Sequence, residues 1–331
     1  MISYAFRRIL TLIPILFFIS LVSFVVIELP PGDYVTFLIE SRRASGIGIS
    51  EAEINRLTIA AGLNYNAPVR YLNWMAGVLQ GDFGYSMQWE QPVTKVLGDR
   101  VPLTMTIAFI SLILAWIIST PIGIISAVKQ YSWIDYVATF LSFVGIATPG
   151  FLIALLIAFS AFKYFGFSPL GLYSEEFIDA PWSIAKLWDL AKHMVIPLFV
   201  VGLTGTGVTI RVLRANLLDE LKKQYVTTAR AKGLTEYQVL MKYPVRMAIN
   251  PLISTIGYVL PSLVSGEIVV SIVLSLQTTG PILLRAVLAQ DLYLAAGIVL
   301  ILSCLTVFGT LLSDLLLAYM DPRIRYGSSK K

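Results

Sequence analysis

Long runs of apolar side chains alternate along this chain with shorter polar stretches rich in Gly, Pro and charge. A hydrocarbon core takes about 20 helical residues to cross, and a backbone in lipid has to satisfy its own hydrogen bonds, so these runs predict membrane-spanning helices. A membrane β-barrel would instead show segments of about ten residues with alternating polarity, and none is found. Six spans follow: Ile9 to Leu29, Thr104 to Val128, about Tyr136 to Tyr164, about Val195 to Ile210, about Pro251 to Leu276 and about Leu294 to Tyr319. The fourth is the shortest and carries Gly202, Gly205 and Gly207. The predicted fold class is an all-α polytopic membrane protein with six transmembrane helices.

The polar stretches set the domain organisation. Pro30 to Val101 is the longest, with turn clusters at PPGD and QGDFGYS and a helical pattern around Glu51 to Ala61, bounded by Ser50 and Gly62. About 70 residues are too few for an independent catalytic domain, so a cap folded on the membrane part is expected. The expected division is an N-terminal transmembrane helix at 1–29, an extracytoplasmic region at 30–101, a core of five helices at 102–320 and a tail at 321–331. A second outer segment, Phe165 to Lys192, carries Glu175, Glu176 and Asp179. Only one inner loop is substantial, roughly 211–250. There Val226, Ala229, Gly233, Leu234, Tyr237, Leu240 and Met241 recur at helical spacing on one face, with Thr228, Lys232 and Glu236 toward another. Gly233 stands where one helix can end and a second begin at an angle. Such a segment either rests on the inner leaflet or docks a soluble partner.

Composition agrees with a membrane protein: 56% of residues are apolar, 14% are charged and the mean hydropathy is +0.76. Most of the 25 Lys and Arg fall on one side, at Arg7 and Arg8, Lys129, the loop from Arg211 to Arg246, and Arg323, Arg325, Lys330 and Lys331. By the positive-inside rule both termini face the cytoplasm. These loops also account for the net charge of +5, which suits anionic lipid headgroups or an acidic partner surface and calls for no nucleic acid. Arg7 and Arg8 before the first run resemble a secretory leader, but ELPPGD lacks a small-x-small cleavage site, so the run is read as an uncleaved span.

Little enzymatic chemistry is legible. No GxxxxGK[ST] loop occurs, so the chain is not expected to hydrolyse ATP or to bind a cofactor. His193 is the single histidine and Cys304 the single cysteine; a metal site and a catalytic triad both lack support, and the two residues read as structural. Glu267 and Asp314 lie in apolar runs, where a charged carboxylate costs about 2.5 to 3.5 kcal/mol at the bilayer centre, so each needs water or a partner. Asp314, close before Asp321, is expected in an ion pair near the inner interface, while Glu267 either lines a translocation cavity or pairs structurally. Pro121, Pro149, Pro197, Pro261 and the GLTGTG run with Gly205 and Gly207 allow kinks and close helix approach, and mark a possible pathway or gate.

The inner loop, from Arg211 and Arg214 through Tyr225 into TARAKGL (Thr228 to Leu234), resembles that of ABC-importer permeases, specifically the first permease of the oligopeptide and dipeptide importer family. FRRIL, PPGD, GDFGYS, VPLT, TPGF and the terminal DPRIR are similar to family landmarks in the same order. The resemblance implies a type I importer permease fold whose inner loop is a coupling helix seated in a groove of an ATPase subunit. Thr227, Thr228 and Ala229 take the motif's first three positions and Gly233 its glycine, with Tyr225 and Ala231 in the same segment. Arg230 and Lys232 are then expected to make polar contacts, Ala229 and Gly233 to allow close approach, and Leu234 to act as an apolar plug. It further implies a second homologous permease, two ATP-binding subunits that carry ATP and Mg, and an extracytoplasmic solute-binding protein, in the cytoplasmic (inner) membrane of a prokaryote. The chain departs from the family at Tyr243 and Met247, where His and Asn are usual, and at SGEIVVSIVLSLQTTGP, which lacks a PGLG-like turn. Peptides and oligosaccharides both stay open as cargo. The competing classes are an ion-driven secondary carrier using Glu267 or Asp314, and a non-transporting scaffold.

Overall fold

A computed structural model describes residues 2–98, 100–166, 168–178 and 180–320, with the side chains at 2–5, 7, 204, 255–258, 260–265 and 319–320 outside that description. Asp179, the Pro261 side chain and the tail with DPRIR, Lys330 and Lys331 therefore lie outside the described residues. The elements in order are α1 (Ile2–Glu28), α2 (Tyr34–Ala44), α3 (Glu51–Ala60), α4 (Ala67–Val78), β1 (Tyr85–Ser86), β2 (Gln91–Pro92), α5 (Val93–Gly98), α6 (Arg100–Val128), α7 (Trp133–Ala147), α8 (Gly150–Phe165), α9 (Ile184–Leu221), α10 (Gln224–Ala231), α11 (Glu236–Lys242), α12 (Pro244–Val273), α13 (Thr279–Leu288) and α14 (Leu292–Met320). The two strands pair antiparallel, Tyr85 with Pro92 and Ser86 with Gln91.

Among the described residues, three helices are long and apolar enough to cross a membrane, Arg8–Glu28, Val93–Val128 and Leu292–Ala318. Two bent pairs raise the number to as many as five: Trp133–Ala147 with Gly150–Phe165, which meet at 98°, and Ile184–Leu203 with Gly205–Leu221, which meet at 41°. The expected third span is thus divided. Pro149 has no N–H to continue α7, and the residue before a proline is pushed out of the helical region; Thr148 accordingly takes ψ 122°. The expected fourth span is longer than the apolar run alone, because Ser183 caps α9 through the Lys186 amide, 3.1 Å away, so that Ile184 to Lys192 joins the helix rather than the outer segment.

The chain forms two compact units. One comprises Ile9–Thr104 with Gln277–Val307. Its core stacks Phe24, Tyr71 and Trp74, with ring centroids 5.4 to 6.4 Å apart, against Ala296 and Leu300, while a second cluster joins Val93, Val96, Leu97, Ile282, Leu294 and Ile298. Aromatic rings bury large apolar areas, which lets so short a polar region hold a fixed shape. Asp291 anchors the β1–β2 turn here: its carboxylate accepts from Ser86 Oγ at 2.6 Å, the Gln88 amide at 3.1 Å and the Leu294 amide at 3.4 Å. The expected helix around Glu51 to Ala61 is α3, capped by Ser50.

The other unit is built on Met105–Leu276 and takes in the start of α1 and the end of α14. The C-terminal ends of α6 and α9 and the N-terminal end of α12 share a core of Ala127, Leu213, Leu217, Val245, Ala248 and Leu252. Asp314 pairs with Arg8 at 3.2 Å, as the cost of an unpaired carboxylate requires. His193 is buried, with Nδ1 3.0 Å from the Asp189 carbonyl one helical turn back.

Candidate functional site

The polar interruption at the end of α9 folds as a helical hairpin. Lys222 and Lys223 turn the chain, and α10 begins at Gln224. After Ala231, Gly233 adopts φ +76°, and its amide donates back to the Arg230 carbonyl at 2.9 Å. Glycine takes this left-handed conformation at no steric cost, and it re-aims the chain. Thr235 then caps α11 in a reciprocal pair with Gln238, the two contacts being 3.4 and 3.2 Å. Pro244 ends α11 and opens α12 at its first helical position.

A small core holds the two short helices together. Val226, Ala229 and Val239 are buried, with Tyr225, Leu234 and Tyr243 packed around them. The Tyr225 hydroxyl donates to the Glu220 carboxylate, and burial together with that bond pushes the phenol pKa well up. The turn at Gly233 changes the expected single apolar face: α11 turns Val239 into the core, so Tyr237, 73% exposed, and Met241, 43% exposed, two positions to either side of it, face away from the buried set. Ala229 makes its close approach within this chain, against Val239, and Leu234 packs on the same core.

What remains outside is compact. Thr227, Thr228, Arg230, Ala231, Lys232 and Gly233 are exposed. Arg230 is held by Glu236 in a two-pronged contact of 2.9 and 3.3 Å. Nothing lies within 4 Å of where a Gly233 side chain would begin, so this backbone is open to close approach from outside. Beside the hairpin, Leu218, Leu221, Lys222, Tyr237 and Leu240 line an open groove of about 400 Å³.

The residues named for a pathway have different surroundings. Pro149 starts α8 at the 98° bend. Gly205 starts the second limb of α9 with open space at its α-carbon. Gly207 instead faces α7, where a Cβ would come within 2.6 Å of the Ser142 carbonyl oxygen, closer than any real contact. Glu267 is buried and accepts from Ser271 Oγ, one turn on in the same helix. Sequence reasoning passes over Asp135, buried at the head of α7 and bound by Arg214 of α9; an acidic residue opening a long apolar run is its one legible signal.

Residues 119–326 match the family described as binding-protein-dependent transport system inner membrane component, and residues 1–108 match the N-terminal region of such membrane components. The chain belongs to this family. The permease is 35% identical over 327 residues to the oligopeptide transport system permease protein AppB of Bacillus subtilis, covering 98% of this chain and 100% of that protein. It is 31% identical over 326 residues to a putative peptide permease protein of Brucella suis, covering 98% and 99%. The dipeptide transport system permease protein DppB of Alkalihalophilus pseudofirmus is 29% identical over 340 residues, covering 98% and 100%. The permease is an integral membrane component of a multi-subunit ABC importer, a class whose permease subunits are not themselves enzymes.

Proposed function

We propose that this permease is one half of a peptide-conducting channel, driven from the cytoplasm through the α10–α11 hairpin. The relatives named for oligopeptides and dipeptides support peptide cargo over oligosaccharide. In this reading α1, α6, the α7–α8 pair, α9, α12 and α14 each cross once, with both termini in the cytoplasm and residues 30–101 outside as a cap. A second homologous permease completes the channel, a solute-binding protein delivers the peptide to the outer face, and two ATPase subunits carry ATP and Mg. The membrane is the cytoplasmic one of a prokaryote.

The observation that carries this reading is an exposed polar face on a hairpin joined directly to a 38-residue helix. Thr227, Thr228, Arg230 and Lys232 offer hydrogen bonds and charge, and Gly233 allows backbone contact, so a groove in an ATPase subunit can seat there. Movement of that subunit then reaches α9 as a rigid displacement. Gly233→Asp tests it, since Asp tolerates the left-handed conformation better than most residues while adding bulk and charge at the open face. Uptake of a defined mixture of di- to hexapeptides should fall at least about tenfold, as for the loss of one well-packed interface anchor, with insertion and thermal stability kept. Normal uptake by this variant would exclude the role. Against the ion-driven alternative, Asp314 is paired with Arg8 and Glu267 accepts from Ser271.

A further inference from the structure

We propose that Asp135 and Arg214 are positioning residues that clamp α6, α7 and α9 into one block with the hairpin, so that displacement of the hairpin moves three helices rather than bending one. This rests on the hairpin being the point where work enters. Arg214 grips Asp135 with two parallel contacts, Nε to Oδ1 at 2.7 Å and Nη2 to Oδ2 at 2.7 Å. The same carboxylate accepts from Ser126 Oγ at the end of α6 and from the Tyr131 amide in the α6–α7 turn at 2.9 Å. One buried group therefore ties four segments.

The clamp ends a continuous seam. Gly207 on α9 meets the Ser142 carbonyl on α7, and seven positions later Arg214 meets Asp135, seven positions earlier on α7. The helices thus run antiparallel for two full turns in register, about 10 Å. From between these points on α9, the Arg211 guanidinium lies over the ring of Phe143, one position beyond Ser142 on α7, at 4.5 Å. On the other side of α9, Gly202 backs onto the Ser111 carbonyl of α6, and Leu213 fills the space beside Gly123.

Position and energetics argue for transmission over mere cohesion. Arg214 lies seven residues before the end of α9, where the helix gives way to the hairpin. Buried ion pairs add little net stability over well-packed apolar side chains, since desolvation offsets attraction, but a two-pronged pair fixes distance and orientation. A joint that must carry displacement without slipping needs that geometric definition. The 41° bend of α9 at Leu203–Gly205 lies on the far side of Gly207, outside the clamped length.

Asp135→Asn and Arg214→Lys should each leave a complex that assembles and hydrolyses ATP, yet transports with about fivefold more ATP spent per peptide, the lower end of ordinary coupling strengths. Spin labels at Ala147→Cys and Met241→Cys, in a Cys304→Ala background, should report one distance that is the same without nucleotide and with nucleotide trapped; in Asp135→Asn it should differ between the two states. An unchanged ATP-to-peptide ratio in an assembled variant overturns the proposal, as does a distance that shifts with nucleotide in the parent protein. Failure of both variants to assemble would overturn it in favour of a purely architectural pair. The distance readout separates this from the hairpin reading, whose failure would appear as normal uptake by Gly233→Asp.

Discussion

Two polar interruptions of this apolar chain are treated in opposite ways. At residues 82–92 the polar groups turn inward: Ser86 and the Gln88 amide both bind Asp291, and Trp74 Nε1 donates to the Phe83 carbonyl at 3.1 Å. At residues 224–236 the apolar groups turn inward and the polar ones outward, with Val226 and Ala229 buried while Thr227, Thr228 and Lys232 are exposed. The first arrangement spends its hydrogen bonds on its own fold. The second satisfies some of them locally, Thr228 Oγ1 with the Gln224 carbonyl at 3.0 Å and Arg230 with Glu236, but leaves these side chains at the surface, and that is what an interaction surface requires. Both segments contain Gly and turn-forming residues, so local composition alone does not separate them; the partners of their polar atoms do.

The contrast can be broken at either end. The largest stability effect is expected for Asp291→Ala, which strands the Ser86 hydroxyl and two backbone amides in a buried site and should cost about 3 kcal/mol; protease cleavage between Tyr85 and Pro92 would report the opening, while an uncut loop would show that Asp291 is dispensable. Val239→Ala removes a buried side chain from the hairpin core and should cost about 1 to 2 kcal/mol locally, read as faster amide exchange in α10 with little change in the rest of the chain. Tyr225→Phe loses one hydroxyl bond to Glu220 and should cost about 1 kcal/mol. The smallest change is expected for Arg230→Ala, because exposed ion pairs contribute at most about 1 kcal/mol; peptide uptake should nevertheless suffer more than thermal stability, and the reverse ordering would count against an outward role.

A pH experiment sharpens the same comparison. Burial raises the Asp291 carboxyl above its ordinary value, partly opposed by the bonds it accepts. A raised folded value means that the contribution of this group is fully present below the unfolded carboxyl pKa and is lost as pH rises through the folded one. Between about pH 4, the unfolded aspartate value, and neutrality, stability of the parent protein should therefore decline more than that of Asp291→Asn. Parallel profiles would show that Asp291 titrates no differently when folded.

Several elements are legible in the residues themselves. The Ser50 cap of α3 and the helix break near Gly233 follow from local residue chemistry, as does the need of Asp314 for a cationic partner, though not that the partner is Arg8, 306 positions away. Others are not. Pro149 announces a break in the third span, yet the 98° between α7 and α8 depends on what each limb packs against. The pathway residues look alike in sequence, whereas Gly207 serves an α7 contact and Gly205 faces open space.

By itself the sequence determined where apolar length suffices to cross a membrane and where a polar hairpin interrupts it, because transfer from water and helical periodicity act over one or two turns. Only the tertiary structure decided which polar groups are consumed internally. Asp135 finds Arg214 across 79 positions and Ser86 finds Asp291 across 205, and such pairings are set by the packing of whole helices, on which a local pattern of residues is silent.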